Sequence, residues 1–228
     1  MANNIFNHTS EDMHEIPSNS IDLIIGSPPY NIGTRYGSFE DNVPFQEYKE
    51  MLKRVIKECA RVLKDEGILI LEAADSIYSN GRYIQLAGLL QKLCLDSGLH
   101  IQSRHINFTS SENHVEMLEH DWNPDYSTTG NAHSNCHQLI IFSKTERTFR
   151  EGEIHYVSYK PTPGHPCPTP LQLYHSLLDC YFTKGMRVLD PFMGTAILGR
   201  EIQKRGGTFH GYEISPEIFA IAEMNLKQ

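Results

Sequence analysis

The chain has 228 residues, 39% of them hydrophobic, with 20 Lys+Arg against 28 Asp+Glu and a formal net charge of −8. That is enough for one α/β domain with a real core, and it excludes a protein that coats nucleic acid by bulk positive charge, though not an enzyme with one local basic face. No apolar run reaches the roughly 20 residues of a membrane helix, residues 1–7 lack a signal peptide's basic and apolar regions, and five cysteines without CxxC spacing point to a reducing cytoplasm.

In chain order, Ile21, Asp22, Leu23, Ile24 and Ile25 form a β-branched apolar run stopped by Gly26, Ser27, Pro28, Pro29 and Tyr30, which predicts a buried strand ending at a turn. Residues 44–63 have apolar side chains at helical spacing. Gly67 follows, then a strand over 68–71. Residues 83–97 predict a second helix closed by Gly98, and 99–108 a third strand. From 109 to 137 the texture turns polar and histidine-rich around the only tryptophan, Trp122, as in a long loop or insertion. A strand over 138–142 is followed by a second irregular stretch, 144–165. Residues 170–181 predict a helix, 186–190 a buried strand broken at Pro191, 196–205 a helix, 208–214 a strand and 216–226 a last helix. Strands alternating with helices imply a mostly parallel sheet with helices on both faces. Ligands of such sheets bind at the carboxyl ends of the strands.

Two strands end in conspicuous chemistry. The 186–190 strand closes on Asp190, and a turn with Gly194 leads into a helix whose free N–H groups face a ligand. The next strand ends near Glu213, where an acid can accept hydrogen bonds from ribose hydroxyls. The G-x-G-x-x-G pattern is absent and the turn has no basic residue. These features point to a nucleoside cofactor without phosphate, S-adenosyl-L-methionine being the obvious one, or else to an ordinary βα turn with a capping Asp. The tetrapeptide Ser27-Pro28-Pro29-Tyr30 fixes two φ angles and removes two backbone donors. Its Ser27 hydroxyl and Pro28 carbonyl suit the two hydrogens of an exocyclic amino group, with Tyr30 stacking on the ring that carries it. The alternative is a strand terminated by Pro-Pro with a packing tyrosine.

These motifs resemble those of the DNA amino-methyltransferases, which methylate cytosine N4 or adenine N6 with S-adenosyl-L-methionine. Residues 27–30 match the catalytic (Ser/Asn/Asp)-Pro-Pro-(Tyr/Phe) signature. Asp190, Pro191, Phe192, Met193, Gly194 and Thr195 match the cofactor signature, and Ala196 departs from the usual Gly. The segment 165–170, with Pro168 and Thr169, resembles the stretch that packs on the methionine moiety, and 61–67 resembles the turn after the catalytic motif. The catalytic motif comes first and the cofactor motif last, as in the permuted β group. The resemblance implies a Rossmann-like methyltransferase fold over 1–228, circularly permuted, with a further strand before Ile21. It assigns Asp190, Pro191, Phe192, Gly194, Thr195, Glu213, Ile214, Pro168 and Thr169 to the cofactor, and Asp12 or Glu11 to its adenine end. The expected partner is DNA with the target base flipped out, read by 109–137 and 144–165; with few basic residues there, the chain is expected to bind DNA weakly alone, to act as a homodimer or to use a partner subunit.

Ser27 leans toward cytosine N4. Adenine N6, an RNA substrate and a non-catalytic cofactor-binding subunit stand as alternatives. His114, His120, His133, His137 and Cys136 match no standard zinc spacing and are read as solvated or base-contacting, and no metal is assigned. Basic residues for phosphates are few: Arg35, beside Tyr36 and Phe39, and Lys144, Arg147, Arg150 and Lys160.

Overall fold

The computed structural model describes residues 4–108, 132–133, 136–146 and 169–227. In chain order these form β1 (Asn4–Phe6), β2 (Ile21–Gly26), β3 (Arg35–Tyr36), β4 (Phe39–Glu40), α1 (Phe45–Val62), β5 (Leu63–Ala74), β6 (Ile77–Ser79), β7 (Arg82–Ile84), α2 (Leu86–Asp96), β8 (His100–Phe108), β9 (Ala132–His133), β10 (Cys136–Ser143), α3 (Leu171–Tyr181), β11 (Arg187–Asp190), α4 (Ile197–Lys204), β12 (Thr208–Tyr212) and α5 (Pro216–Leu226).

Seven strands make one sheet in the order β1-β12-β11-β2-β5-β10-β8. The first five are mutually parallel, and β10 runs antiparallel to both β5 and β8. The central strands are apolar on both faces because both are covered. In β2, Leu23 and Ile25 join a core with α3, α4 and α5, while Ile21 and Ile24 join a core with α1 and α2. Helix α1 buries Tyr48, Leu52, Val55, Ile56, Cys59 and Val62, the 3.6-residue stripe of a helix with one face on a sheet. Ser215 caps α5 by accepting from Ile218 N, with Pro216 in the first turn.

The sheet also sets where a crevice opens. Strands β11 and β2 lie side by side, Val188 opposite Leu23 and Leu189 opposite Ile24. From β11 the chain crosses by α4 to β12 on one side, and from β2 by α1 to β5 on the other. Their carboxyl ends therefore diverge at a topological switch point.

Several boundaries differ from the sequence reading. The helix expected from 83 begins at Leu86, because Arg82–Ile84 pairs with Ile77–Ser79 as a hairpin. The strand expected over 68–71 runs from Leu63 to Ala74. The strand expected to reach 214 stops at Tyr212. The irregular stretch expected to reach 137 gives way earlier, to β9 and then β10. The additional strand expected before Ile21 is β1, parallel to β12. Residues 109–131, 134–135 and 147–168 lie outside the described residues, and with them most of both candidate recognition stretches, Pro168, Trp122, Arg147, Arg150 and Lys160. No helix among the described residues is long and apolar enough to cross a membrane.

Candidate functional site

The two motifs meet at the β2–β11 junction. Gly26, just before Ser27, has no side chain where one would collide: a Cβ there would lie 3.0 Å from Pro191 Cδ and 3.5 Å from Asp190 Oδ1. The absent side chain lets the tetrapeptide backbone press against the 190–195 turn. Within the tetrapeptide, the Pro29 carbonyl accepts a 2.7 Å hydrogen bond from the Tyr48 hydroxyl of α1. Among the described residues the Ser27 hydroxyl and the Pro28 carbonyl have no hydrogen-bond partner, which leaves two acceptors at the end of β2, Ser27 half-buried and Pro28 buried. Tyr30 is 8% exposed. Its hydroxyl accepts from Ala74 N at 3.1 Å and lies 3.5 Å from His137 Nδ1.

On the other side of the junction, Asp190 is buried, and its Oδ1 accepts from Phe192 N at 2.9 Å. Burial pushes its pKa up to about 7; the Phe192 bond opposes the rise and the nearby Glu213 charge adds to it. Glu213 is buried as well. It accepts from Ser215 N at 2.7 Å, and burial raises its pKa despite the backbone bonds from Ser215, Gly194 and Ile214. Neither carboxylate forms an ion pair among the described residues. Two such acids without a cation repel a pyrophosphate and fit a ligand bearing hydroxyl and ammonium donors. Pro191, Gly194 and Thr195 are buried, Phe192 and Thr169 are half-buried, and Ile214 is 44% exposed at the rim. Gly194 and Ala196 both take positive φ, +52 and +57. Ala196 thus holds a left-handed conformation that glycine adopts freely.

Asp12 is not brought to the crevice. Its side chain is 73% exposed and lies 3.3 Å from His14 Nδ1. Glu11 points to α1 and pairs with Arg54 at 2.5 Å. The residue at the carboxyl end of β1 is Asn7, whose Nδ2 donates to the Glu213 carbonyl at 2.8 Å. Next to it, His8 packs edge-on against Tyr212, 5.2 Å between ring centres, and Glu15 receives the Tyr212 hydroxyl at 3.0 Å. The resemblance calls for an acid at this place, and the chain has an amide there. A second missed pair is His137 with Glu72 Oε1 at 2.5 Å, which backs Tyr30 from the ends of β10 and β5. The register of these strands, with His137 opposite Ala74, brings the pair together, and no local sequence signal marks it. No cluster of three or more His, Cys, Asp or Glu able to hold a metal occurs among the described residues.

A hairpin closes the top. After Tyr30, Asn31 takes φ +58, and its side chain bridges Val43 N and O at 2.8 Å each. Asp41 accepts from Asn31 N at 3.0 Å, and burial lifts its pKa to about 6 against the N–H groups of Thr34, Asn31, Ile32 and Gly33. The β3–β4 hairpin then crosses from the end of β2 to the start of α5. There Ser38 Oγ and N donate to Glu217 Oε2 at 3.0 and 3.3 Å, beside the Ser215 hydroxyl at 2.8 Å. Bonds from its own backbone N–H, Ser215 and Ser38 hold the Glu217 pKa near 2.

Comparison with known proteins places this geometry in a family. A family model described as DNA methylase, for N6 and N4 methyltransferases, matches residues 21–224. The type II methyltransferase M.HpaI of Haemophilus parainfluenzae is 27% identical over 235 residues, covering 94% of this chain and 70% of that protein. The DNA adenine methyltransferase YhdJ of Escherichia coli K12 is 24% identical, covering 90% of this chain and 76% of its own length. Among solved structures, the cytosine-N4-specific PvuII DNA methyltransferase superposes with a TM-score of 0.73 at 18% identity, covering 99% of this chain and 86% of that one. A Thermus thermophilus DNA modification methylase, complexed with S-adenosyl-L-methionine, superposes with a TM-score of 0.69 at 20% identity, covering 99% and 93%. At these identities the two structures establish the shared fold.

Proposed function

Because the chain belongs to the DNA methylase family of N6 and N4 amino-methyltransferases, we propose that it methylates the exocyclic amino group of a flipped DNA base, cytosine N4, with S-adenosyl-L-methionine as the donor. The observation that carries this reading is the pair of acceptors at the end of β2. Tyr48 occupies the Pro29 carbonyl, and the Ser27 hydroxyl and Pro28 carbonyl stay available beside the Asp190 turn.

The cofactor's holders would be Asp190, Phe192, Gly194 and Thr195 around the turn, Glu213 at its ribose, and Ile214 at its adenine. Asn7 adds an amide at the adenine end, held by the Glu213 carbonyl. The two carboxylates without cation partners support this fit. When bound, S-adenosyl-L-methionine supplies a methyl group activated on a sulfonium sulfur, with a neutral leaving group.

The chain's residues supply the rest. The Ser27 hydroxyl and the Pro28 carbonyl accept the two amino hydrogens and draw the nitrogen lone pair out of the ring system onto nitrogen. As that nitrogen becomes cationic its N–H groups become stronger donors, so the same two bonds tighten in the transition state, and one amino proton then leaves to water to give the neutral methylamino product. Gly26 sets the distance between nitrogen and donor by letting the two motifs touch, and such positioning lowers the barrier further. Tyr30, held at its hydroxyl by Ala74 and 8% exposed, would border the base where the chain leaves β2.

Ser27 supports cytosine over adenine, and the type II relatives support a role in DNA modification. Residues 109–137 and 144–165 remain the candidates for target recognition within one methyltransferase domain over 1–228. The described free thiols Cys59, Cys94, Cys136 and Cys180 suit the reducing cytoplasm.

The test is transfer of labelled methyl to unmethylated genomic DNA, with the nucleosides resolved by mass spectrometry. N4-methylcytosine is the expected product. N6-methyladenine would keep the family chemistry and overturn the base. Cofactor binding with no label in DNA would overturn the DNA substrate, in favour of RNA or a non-catalytic subunit.

A further inference from the structure

The β6–β7 hairpin carries side chains that the chemistry above does not use. Asn80 and Gly81 form its two-residue turn with φ +50 and +75, the left-handed pair of a type I′ turn. That turn fixes the register, Ile77 opposite Ile84 and Tyr78 opposite Tyr83. Directly opposed side chains share a face. Ile77 and Ile84 are buried, whereas Tyr78 and Tyr83 are 44% and 60% exposed. Neither tyrosine hydroxyl has a hydrogen-bond partner among the described residues, so nothing described in the fold explains two adjacent rings in solvent. Arg82, next to Tyr83, is exposed too, and residues 77–84 contain no acid.

The hairpin is bonded to the loop that follows the tetrapeptide. Ser79 Oγ donates to the carbonyl of Asn31, the residue after Tyr30, at 2.5 Å, and accepts from Asn31 Nδ2 at 3.5 Å. Asn80 Nδ2 reaches the Val43 carbonyl at 3.5 Å. The hairpin thus stands beside the loop that follows Tyr30, with Arg82 on the Ser79 face and the two exposed rings on the opposite face.

We propose that this hairpin is a DNA-strand contact, with Tyr78 and Tyr83 receiving the faces of bases unstacked around the flipped target and Arg82 meeting a backbone phosphate. The proposal rests on the reading that the chain methylates DNA, and names the surface that holds the strand. Extruding a base costs unstacking energy and leaves neighbouring base faces exposed. Aromatic rings cover such faces whatever the base. A chain of net charge −8 repels phosphates over most of its surface, so a hairpin with an exposed cation and no acid among residues 77–84 is where a strand can approach. The same patch would suit a second copy of the chain less well, because a lone exposed arginine beside its own image has no partner charge.

The test uses the full chain with Tyr83→Ala, Tyr83→Phe and Arg82→Gln, each binding a short fluorescent duplex with a central mismatch. Tyr83→Ala is expected to weaken binding about five- to hundredfold, and Tyr83→Phe to restore it, since stacking needs the ring and not the hydroxyl. Arg82→Gln is expected to lower the slope of log affinity against log salt by about one. The affinity for S-adenosyl-L-methionine stays unchanged in all three. Wild-type DNA affinity in Tyr83→Ala, with methyl transfer to DNA intact in the parent, would overturn the hairpin assignment alone. A parent chain that puts no methyl into DNA would overturn the reading beneath it. Tighter Tyr83-dependent binding to the matching RNA would overturn the choice of polymer. A dimer that Tyr83→Ala splits without loss of DNA affinity would assign the hairpin to a second copy of the chain instead.

Discussion

Ser27 and Asp190 sit on opposite sides of the β2–β11 junction, and their substitutions should separate chemistry from cofactor binding. Ser27→Ala removes one acceptor that strengthens as charge develops, so single-turnover methyl transfer should fall by roughly 10²–10³ while the cofactor dissociation constant stays put. Asp190 couples function to stability. An unfolded aspartate ionises near 3.9, but folded Asp190 holds its proton up to about 7. Between those values the folded state binds a proton that the unfolded state has released, so the ligand-free protein loses stability as pH rises from about 4 to about 7. Asp190→Asn should therefore raise the melting temperature at about pH 8, by the equivalent of about 2–4 kcal/mol, and change little at about pH 4. The same variant should bind cofactor more weakly, and the parent's affinity should climb with pH up to about 7 as the carboxylate forms. Ala196 is a different trade. Changing it to glycine relieves about 1–2 kcal/mol of left-handed strain, but loses about 0.8 kcal/mol of buried methyl and about 0.5–1 kcal/mol of chain entropy. Ala196→Gly should be neutral in denaturant unfolding to within about 1 kcal/mol, and this near-cancellation accounts for alanine being accommodated at a position where the family uses glycine.

Helix α1 does more than cover the sheet, since its Tyr48 hydroxyl holds the Pro29 carbonyl at 2.7 Å from a fully buried position. Tyr48→Phe leaves that half-buried carbonyl without its partner, at a cost of about 0.5–1.5 kcal/mol. Denaturant midpoints should read this loss, together with slower methyl transfer at unchanged cofactor affinity. The helix was legible in the sequence because its stripe from Tyr48 to Val62 is unbroken. The β2 and β11 strands were legible because apolar runs stop at Pro-Pro and Asp-Pro. The β6–β7 hairpin was not. Tyr83 and Leu86 fit a helical stripe with Leu90 and Leu93, and only the Asn80-Gly81 turn marks the reversal. Strand β1 was expected, but the residue that follows its three is an amide, Asn7, and not an acid. The pairing of His137 with Glu72 depends on β10 lying against β5, a register that spacing along the chain does not encode.

On the scale of the whole molecule, the β3–β4 hairpin ties the segment after β2 to the start of α5. In the strand order β12-β11-β2, a link from residues after β2 to the start of α5 must pass over the end of β11, where the cofactor turn lies. The Ser38–Glu217 bonds thus form a clasp over the crevice. Ser38→Ala removes the hydroxyl bond and keeps the backbone one, so cofactor dissociation should speed up by about two- to tenfold in stopped-flow displacement, with the chemical step unaltered.

The neighbours β2 and β11 also fix an order in time. Gly26 leaves the ribosome roughly 160 residues before Asp190, about ten to thirty seconds earlier at about 5–20 residues per second. Until then β2 lacks its β11 neighbour and β1 has no β12 beside it. Under the proposed function, a nascent chain therefore carries the acceptors for a base before any seat for the methyl donor exists, and methyl transfer waits until β11 and β12 have joined β2 and β1.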